Sequence, residues 1–227
     1  MTEQADAAEL KRLYEERFSG RTEYRNEVWK TLTSEFFSKW IPPTATVLDL
    51  GAGYCEFINN VRAQRKMALD LNPDAKARAN SDVEMILHDC STPWPVPDGS
   101  LDVVFTSNFL EHLFDKATVV QTTKQAFRAL RPGGRILCLG PNVRFVGGAY
   151  WDYFDHHVAL TERSMSEVLE QSGFVVEEAI DRFLPYSMSE GRQPPVAALS
   201  WYLKLRPAWR FVGKQFFVVA RKDALKG

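Results

Sequence analysis

Three short stretches carry residue types at spacings able to hold a ligand. The first is Val47-Leu48-Asp49-Leu50-Gly51-Ala52-Gly53. An apolar run ending in Gly-x-Gly lets the backbone turn sharply and approach a ligand closely at the end of a strand. The dinucleotide fingerprint asks for a third glycine three positions after the second, and Glu56 stands there. A carboxylate at a helix start disfavours a pyrophosphate but tolerates a positively charged or zwitterionic ligand. The second stretch ends in Asp70, which can accept hydrogen bonds from both hydroxyls of a ribose; its alternative is a solvated loop carboxylate. The third is His88-Asp89-Cys90, where a side-chain acceptor beside a backbone N–H can read an adenine edge.

A fourth stretch, Tyr150-Trp151-Asp152-Tyr153-Phe154-Asp155-His156-His157, mixes rings, acids and imidazoles. Histidine titrates near neutrality. His156 or His157 is therefore a candidate general base toward a hydroxyl or amine, with Asp152 or Asp155 orienting it. The same acids and histidines could instead cap a turn. The rings of Tyr150, Trp151, Tyr153 and Phe154 could stack on a sugar, line an apolar pocket or sit in the core. His112, after another apolar run, is a further candidate base or else a core histidine.

These residues need a scaffold, and the pattern of the chain supplies one. Apolar residues make up 45% of the 227 positions, charged residues 25% and aromatics 12%, which are globular proportions. At roughly 100–200 residues per domain, the length suggests one domain. Leu10, Leu13, Tyr14 and Phe18, then Tyr24, Val28, Leu32, Phe36 and Trp40, recur at helical spacing until Ile41-Pro42-Pro43 stops them. Strands follow at Thr46–Leu50, Met67–Leu71, Val83–Asp89, Leu101–Thr106 and Arg135–Leu139, with helices at Phe57–Arg65 and Lys116–Leu130. Ser164-Met165-Ser166-Glu167 reads as a capping box opening a helix that Gly173 ends. Phe174–Ala179 and Gln215–Ala220 read as two final strands. Alternating strands and helices imply a doubly wound α/β sheet with crossover helices. The mixed segment 186–213, with Trp201, Tyr202 and Trp209, reads as an insertion before the last strand. It either covers one edge of a substrate site or forms a small satellite core.

The formal charge is -1, from 28 basic and 29 acidic residues, which leaves no strong field for a phosphate backbone and counts against nucleic acid. Cys55, Cys90 and Cys138 are far apart and odd in number, which suggests a reducing compartment and no zinc knuckle. The start has no basic n-region and no apolar h-region. No apolar run approaches the roughly 18 residues of a membrane helix. The expected setting is cytoplasmic, with no membrane partner.

With its motifs in this order, the chain resembles the class I S-adenosylmethionine-dependent methyltransferases. Val47 to Gly53 looks like that family's first motif. Asp70 matches its ribose-holding acid, and Asp89 with the Cys90 backbone its adenine position. Leu101 to Asn108 matches the fourth strand, Phe109-Leu110-Glu111-His112-Leu113 the stretch flanking the methionyl part, and Leu130-Arg131-Pro132-Gly133-Gly134-Arg135 the turn before the fifth strand. The resemblance implies a seven-stranded sheet, last strand antiparallel, with helices on both faces. It implies S-adenosyl-L-methionine as cofactor, held by Asp49, Gly51, Ala52, Gly53, Asp70, Leu71, Asp89, Cys90, Asn108, Glu111 and His112. It also suggests a helical lid over residues 1–43, where Tyr14, Phe18, Arg21, Tyr24 and Arg25 combine rings with cations. An arginine there could pair with the cofactor carboxylate, although a solvated helix face fits equally.

Ser107-Asn108-Phe109-Leu110 lacks the Asn/Asp-Pro-Pro-aromatic motif of members acting on nucleobase amines. Catechol-type members place metal-binding acids where this chain has Asn108 and Asn142, so no metal is expected. A looser likeness of Tyr150–Thr161, Phe183–Tyr186 and Gly213–Phe216 to small bacterial enzymes of sugar and secondary metabolism points to a hydroxyl on a small polar acceptor. The competing readings are a nicotinamide-dependent oxidoreductase and a cofactor-binding module without turnover. Glu56 and the lack of a Tyr-x-x-x-Lys pair count against the first. The acceptor, the atom methylated and the oligomeric state are left open.

Overall fold

The computed structural model describes residues 22–186 and 194–223. Leu10, Leu13, Tyr14, Phe18 and Arg21 of the expected lid lie outside the described residues. The first described helix, α1, spans Thr22–Glu35 and buries Val28, Trp29, Leu32 and Thr33, pairs one turn apart on a single face.

Seven strands follow: β1 (Thr46–Leu50), β2 (Arg65–Asp70), β3 (Val83–Leu87), β4 (Leu101–Ser107), β5 (Leu130–Pro141), β6 (Phe174–Ile180) and β7 (Gln215–Lys222). They form one sheet in the order β3-β2-β1-β4-β5-β7-β6. β7 runs antiparallel to both its neighbours, and the other pairings are parallel. This is the expected fold. Strand order reverses between β1 and β4, and in open α/β sheets a crevice forms there outside the carboxyl ends.

The apolar run of β1 has a two-sided purpose. Val47 enters one core, with Trp29, Phe37, Phe57 and Phe105, while Leu48 and Leu50 enter the other, with Val119, Met165 and Leu169. A strand covered on both faces cannot alternate with polar residues. Its one acid, Asp49, is 4% exposed.

Several boundaries differ from the sequence reading. The helix after β1, α2, spans only Glu56–Asn60. The backbone N–H groups of Gln64 and Arg65 both donate to the Ala45 carbonyl, at 3.0 and 3.3 Å, and draw the following residues into β2. The capping box lies three residues earlier than expected. Ser164 N–H donates to Thr161 Oγ1 (3.1 Å) and Thr161 N–H to Ser164 Oγ (2.9 Å), because Thr161 still has extended backbone. The helix they open, Glu162–Gln171, packs beside Lys116–Ala129 on the second core.

Between β6 and β7 two helices, Val196–Lys204 and Arg206–Val212, send Leu203 and Trp209 into the first core. Trp209 lies edge-on to Phe183 (5.1 Å) and Phe36 (5.9 Å). Trp201 is exposed and Tyr202 half-buried. No helix among the described residues is long and apolar enough to cross a membrane.

Cys55, Cys90 and Cys138 are free and buried. Burial pushes the thiols up, to about 12 for Cys55 and about 11 for Cys90, and Cys138 higher still. A thiol that stays protonated is inert. A thiol reagent at mildly alkaline pH is expected to leave all three untouched in the folded protein and to titrate three after denaturation. Rapid labelling of one in the native state would contradict this packing.

Candidate active site

A cavity of about 490 Å³ opens at the carboxyl ends of β1, β2, β4 and β5. The turn after β1 forms its floor. Gly51 has φ +70°, and a Cβ built on it would lie 2.2 Å from the Phe109 ring. Gly53 has φ +49° with open space around it. The first glycine thus makes room for a neighbour, and the second supplies a left-handed turn beside the ligand space. Gly53 N–H donates to Asp70 Oδ2 at 2.7 Å, and Asn72 N–H to Asp70 Oδ1 at 2.8 Å. Both carboxylate oxygens are therefore fixed, and each keeps a lone pair for a further donor.

Asp49, Asp70, Glu56 and Glu111 all line this cavity. Burial raises the Asp49 carboxyl well above its usual range, and the Asp70 charge adds to the rise. Burial also raises Glu56, opposed by Arg25, whose guanidinium meets it at 2.5 Å. Arg25 comes from α1 and lines the cavity, as do Tyr54 and Arg78; the Arg78 guanidinium lies 3.8 Å over the Tyr54 ring. Ala52, the exposed Leu71 and the following Asn72, Pro73 and Asp74 also line this half.

The other half is lined by Asn108, Phe109, Glu111, His112, Tyr153, His156, Tyr186 and Gln215. Asn108 has φ +48°, and its N–H donates to the Leu139 carbonyl at 2.9 Å. Glu111 and His112 lie on the 3-10 turn Leu110–His112, and Glu111 is 2% exposed. The Glu111 carbonyl accepts the N–H groups of His157 (2.8 Å) and Val158 (3.1 Å), which pins the loop after β5 against that turn. The pinning brings the His156 ring to 4.9 Å from His112. His156 Nδ1 lies 2.8 Å from the Tyr150 carbonyl, and His112 Nδ1 lies 3.0 Å from the Asp155 carbonyl and 3.3 Å from its Oδ2.

The sequence reading is redistributed by this geometry. Asp155 meets His112, which lies 43 residues away in the chain. Of the adjacent histidines, His156 turns inward, while His157 is exposed beside Phe114 and lines no part of the cavity. This corrects the candidacy of His157, because successive side chains of the pinned loop leave on opposite sides. Asp152 is likewise exposed and outside the lining. Tyr150 is fully buried and Tyr153 faces the cavity, whereas Trp151 and Phe154 are exposed.

Asp89 and Cys90 are also absent from the lining. Asp89 Oδ1 caps its own turn, accepting the N–H and Oγ–H of Ser91, and these bonds hold the carboxyl below its usual range. Cys90 packs in the second core. Asn142 is buried and donates to Glu162 at 2.6 Å, a structural partnership. Sequence reasoning missed Tyr54, Arg78 and Gln215 as lining residues. Arg78 sits in no motif, and Gln215 reaches the cavity only because β7 runs antiparallel and starts at this edge.

Residues 21–179 match the methyltransferase domain family. A Mycolicibacterium smegmatis protein named as a probable S-adenosylmethionine-dependent methyltransferase is 34% identical over 145 residues. That match covers 62% of this chain and 55% of the relative, so the chain spans about half the length of the curated protein it matches. A SAM-dependent methyltransferase from Archaeoglobus fulgidus superposes with a TM-score of 0.66 at 18% identity, over 92% of this chain and 98% of that one. A chain of the complex between the Haloferax volcanii Trm112 methyltransferase activator and a methyltransferase gives 0.65 at 18% identity, over 91% and 96%. At such identities these two likenesses speak to the fold.

Proposed function

Because the chain belongs to the methyltransferase domain family and uses S-adenosylmethionine as its cofactor, we propose that it methylates an oxygen of a small polar acceptor. The residues present fit that cofactor. Five carboxyl residues lining one cavity, Asp49, Glu56, Asp70, Asp74 and Glu111, suit a cationic ligand. Asp70, with both oxygens fixed and lone pairs to spare, suits a diol. Asp49, Gly51, Ala52, Gly53, Asp70, Leu71 and Asn108 are our assignment for this half, with Arg25 and Arg78 for a carboxylate. When bound, the cofactor supplies an electrophilic methyl on a positively charged sulfur. We read α1 as part of a cover over this half, since Arg25 reaches the cavity from it, and the 186–213 segment as contributing Tyr186 to the opposite wall.

The observation that carries the oxygen reading is the Glu111–His112–His156 cluster in the same cavity as the carboxylate-rich half. A hydroxyl must shed its proton as it is methylated, so it has to lie against groups that assist that loss. Asp155 and the Tyr150 carbonyl hold the two rings in place, and Tyr153 and Tyr186 offer faces on which a ring of the acceptor can rest.

The test uses methyl-labelled cofactor with a panel of sugars, phenols and amines. Label is expected on a hydroxyl product, with turnover falling by a factor on the order of 10² in His112→Ala and His156→Ala, and unchanged in His157→Ala. Transfer to amines alone, or full turnover in both inward-facing variants, would sink the oxygen reading.

A further inference from the structure

We infer that Glu111, His112 and His156 form a binding site for one divalent transition-metal cation, open on its cavity side to an acceptor oxygen. This deepens the oxygen reading above and rests on it for the role of the cation, though not for its binding. One ligand atom from each of the three side chains lies within 4.8 Å of the others. Two residues come from the turn after β4 and the third from the loop after β5, and the bonds from His157 and Val158 N–H to the Glu111 carbonyl hold them together.

Three features distinguish this cluster from a chance meeting of side chains. First, Glu111 is 2% exposed, and no lysine or arginine among the described residues pairs with its carboxylate. A buried carboxylate requires a nearby positive charge or a proton, and among the described residues the imidazole of His112 is the group beside it that can carry one. Second, both imidazoles are anchored through Nδ1: His112 on the Asp155 carbonyl and carboxylate, His156 on the Tyr150 carbonyl. An oxygen acceptor at Nδ1 leaves Nε2 as the nitrogen that a metal would take, the arrangement in which metal-bound histidines are held by their outer partners. Asp155 is then a positioning residue for the site. Third, two imidazoles and one carboxylate leave coordination positions vacant, which is the ligand set of reactive rather than structural metal sites.

Imidazole donors favour zinc, cobalt, nickel, copper or iron over calcium and magnesium, which prefer oxygen. A cation held here lowers the proton affinity of a bound hydroxyl, whose proton then leaves to water. The sequence points away from a metal, both at Asn108 and Asn142, which do not belong to this cluster, and at the 150–157 stretch, which supplies His156 to it.

The experiment strips the full chain with a chelator and titrates it with cobalt(II), following the visible d–d bands. One equivalent is expected to bind with the spectrum of mixed imidazole and carboxylate ligands. Glu111→Gln, close in shape to the native residue, and His156→Ala are each expected to abolish saturable binding. Asp155→Asn is expected to weaken it about tenfold, and His157→Ala to leave it intact. Cofactor calorimetry on each variant checks that it is folded. No cobalt binding by the wild type, or binding undiminished in Glu111→Gln, overturns the site. Hydroxyl methylation that persists in metal-free protein would remove the cation while leaving the oxygen reading standing. Cobalt binding that follows the variants, with only amines methylated, supports the site and removes the oxygen reading instead.

Discussion

Gly51→Ala is expected to destabilise the protein by about 2–4 kcal/mol and to disable cofactor binding with it. Two costs add. The backbone at Gly51 has φ +70°, where an L-residue loses on the order of 1 kcal/mol. The new Cβ also lands 2.2 Å from the Phe109 ring, an overlap that must displace a partly buried side chain and costs about 1–3 kcal/mol. For a chain of this size that corresponds to a fall in Tm of roughly 5–15 °C. Phe109 lines the cavity, so its displacement intrudes on the ligand space. Thermal unfolding and cofactor calorimetry read the two effects. The double variant with Phe109→Ala separates them: once the ring is gone, the Gly51→Ala penalty should shrink to the backbone cost of about 1 kcal/mol. An undiminished penalty in that background would show that the contact is not the cause.

Asp70→Ala is expected to weaken S-adenosylmethionine and S-adenosylhomocysteine at least about 100-fold, close to 3 kcal/mol. The carboxylate fixes the turn after β1 through Gly53 N–H and the turn after β2 through Asn72 N–H, so its loss loosens two walls of the cavity. Each charge-assisted bond of this kind contributes about 1.5–3 kcal/mol. Stability should fall much less than affinity. Asp70 is a like charge that raises the buried Asp49 carboxyl, and removing it relieves that repulsion. Asp70→Asn keeps one acceptor and should lie between wild type and Asp70→Ala. Calorimetry of the three proteins against both ligands, with NAD as a control expected not to bind, decides the matter. Unchanged affinity in Asp70→Ala would remove this residue from the cofactor site.

Much of this architecture is legible in local patterns. Val47–Leu50 is apolar on every residue but Asp49 because β1 is covered on both faces, and a sheet strand so covered has few other compositions open to it. Gly51 and Gly53 are readable because a positive φ and a close approach both exclude side chains. Glu56 in place of a third glycine disfavours a dinucleotide pyrophosphate by its type and position alone. Boundaries were less legible. The short helix Glu56–Asn60 ends where β2 recruits the chain, a choice made by hydrogen bonds to Ala45 and not by helix propensity.

The sequence alone determined the order of strands and helices, the glycine turn and Asp70 at the ends of adjacent strands, and the family to which that order belongs. Each follows from periodicity or backbone sterics within a few neighbouring residues. Tertiary structure decided which side chains meet in the cavity. Asp155 meets His112, 43 residues away in sequence. His156 faces inward and His157 outward because two N–H groups of one loop bind the Glu111 carbonyl. Gln215 joins the site because its strand enters the sheet antiparallel. Such pairings depend on how distant segments pack across the sheet, and no local pattern encodes them.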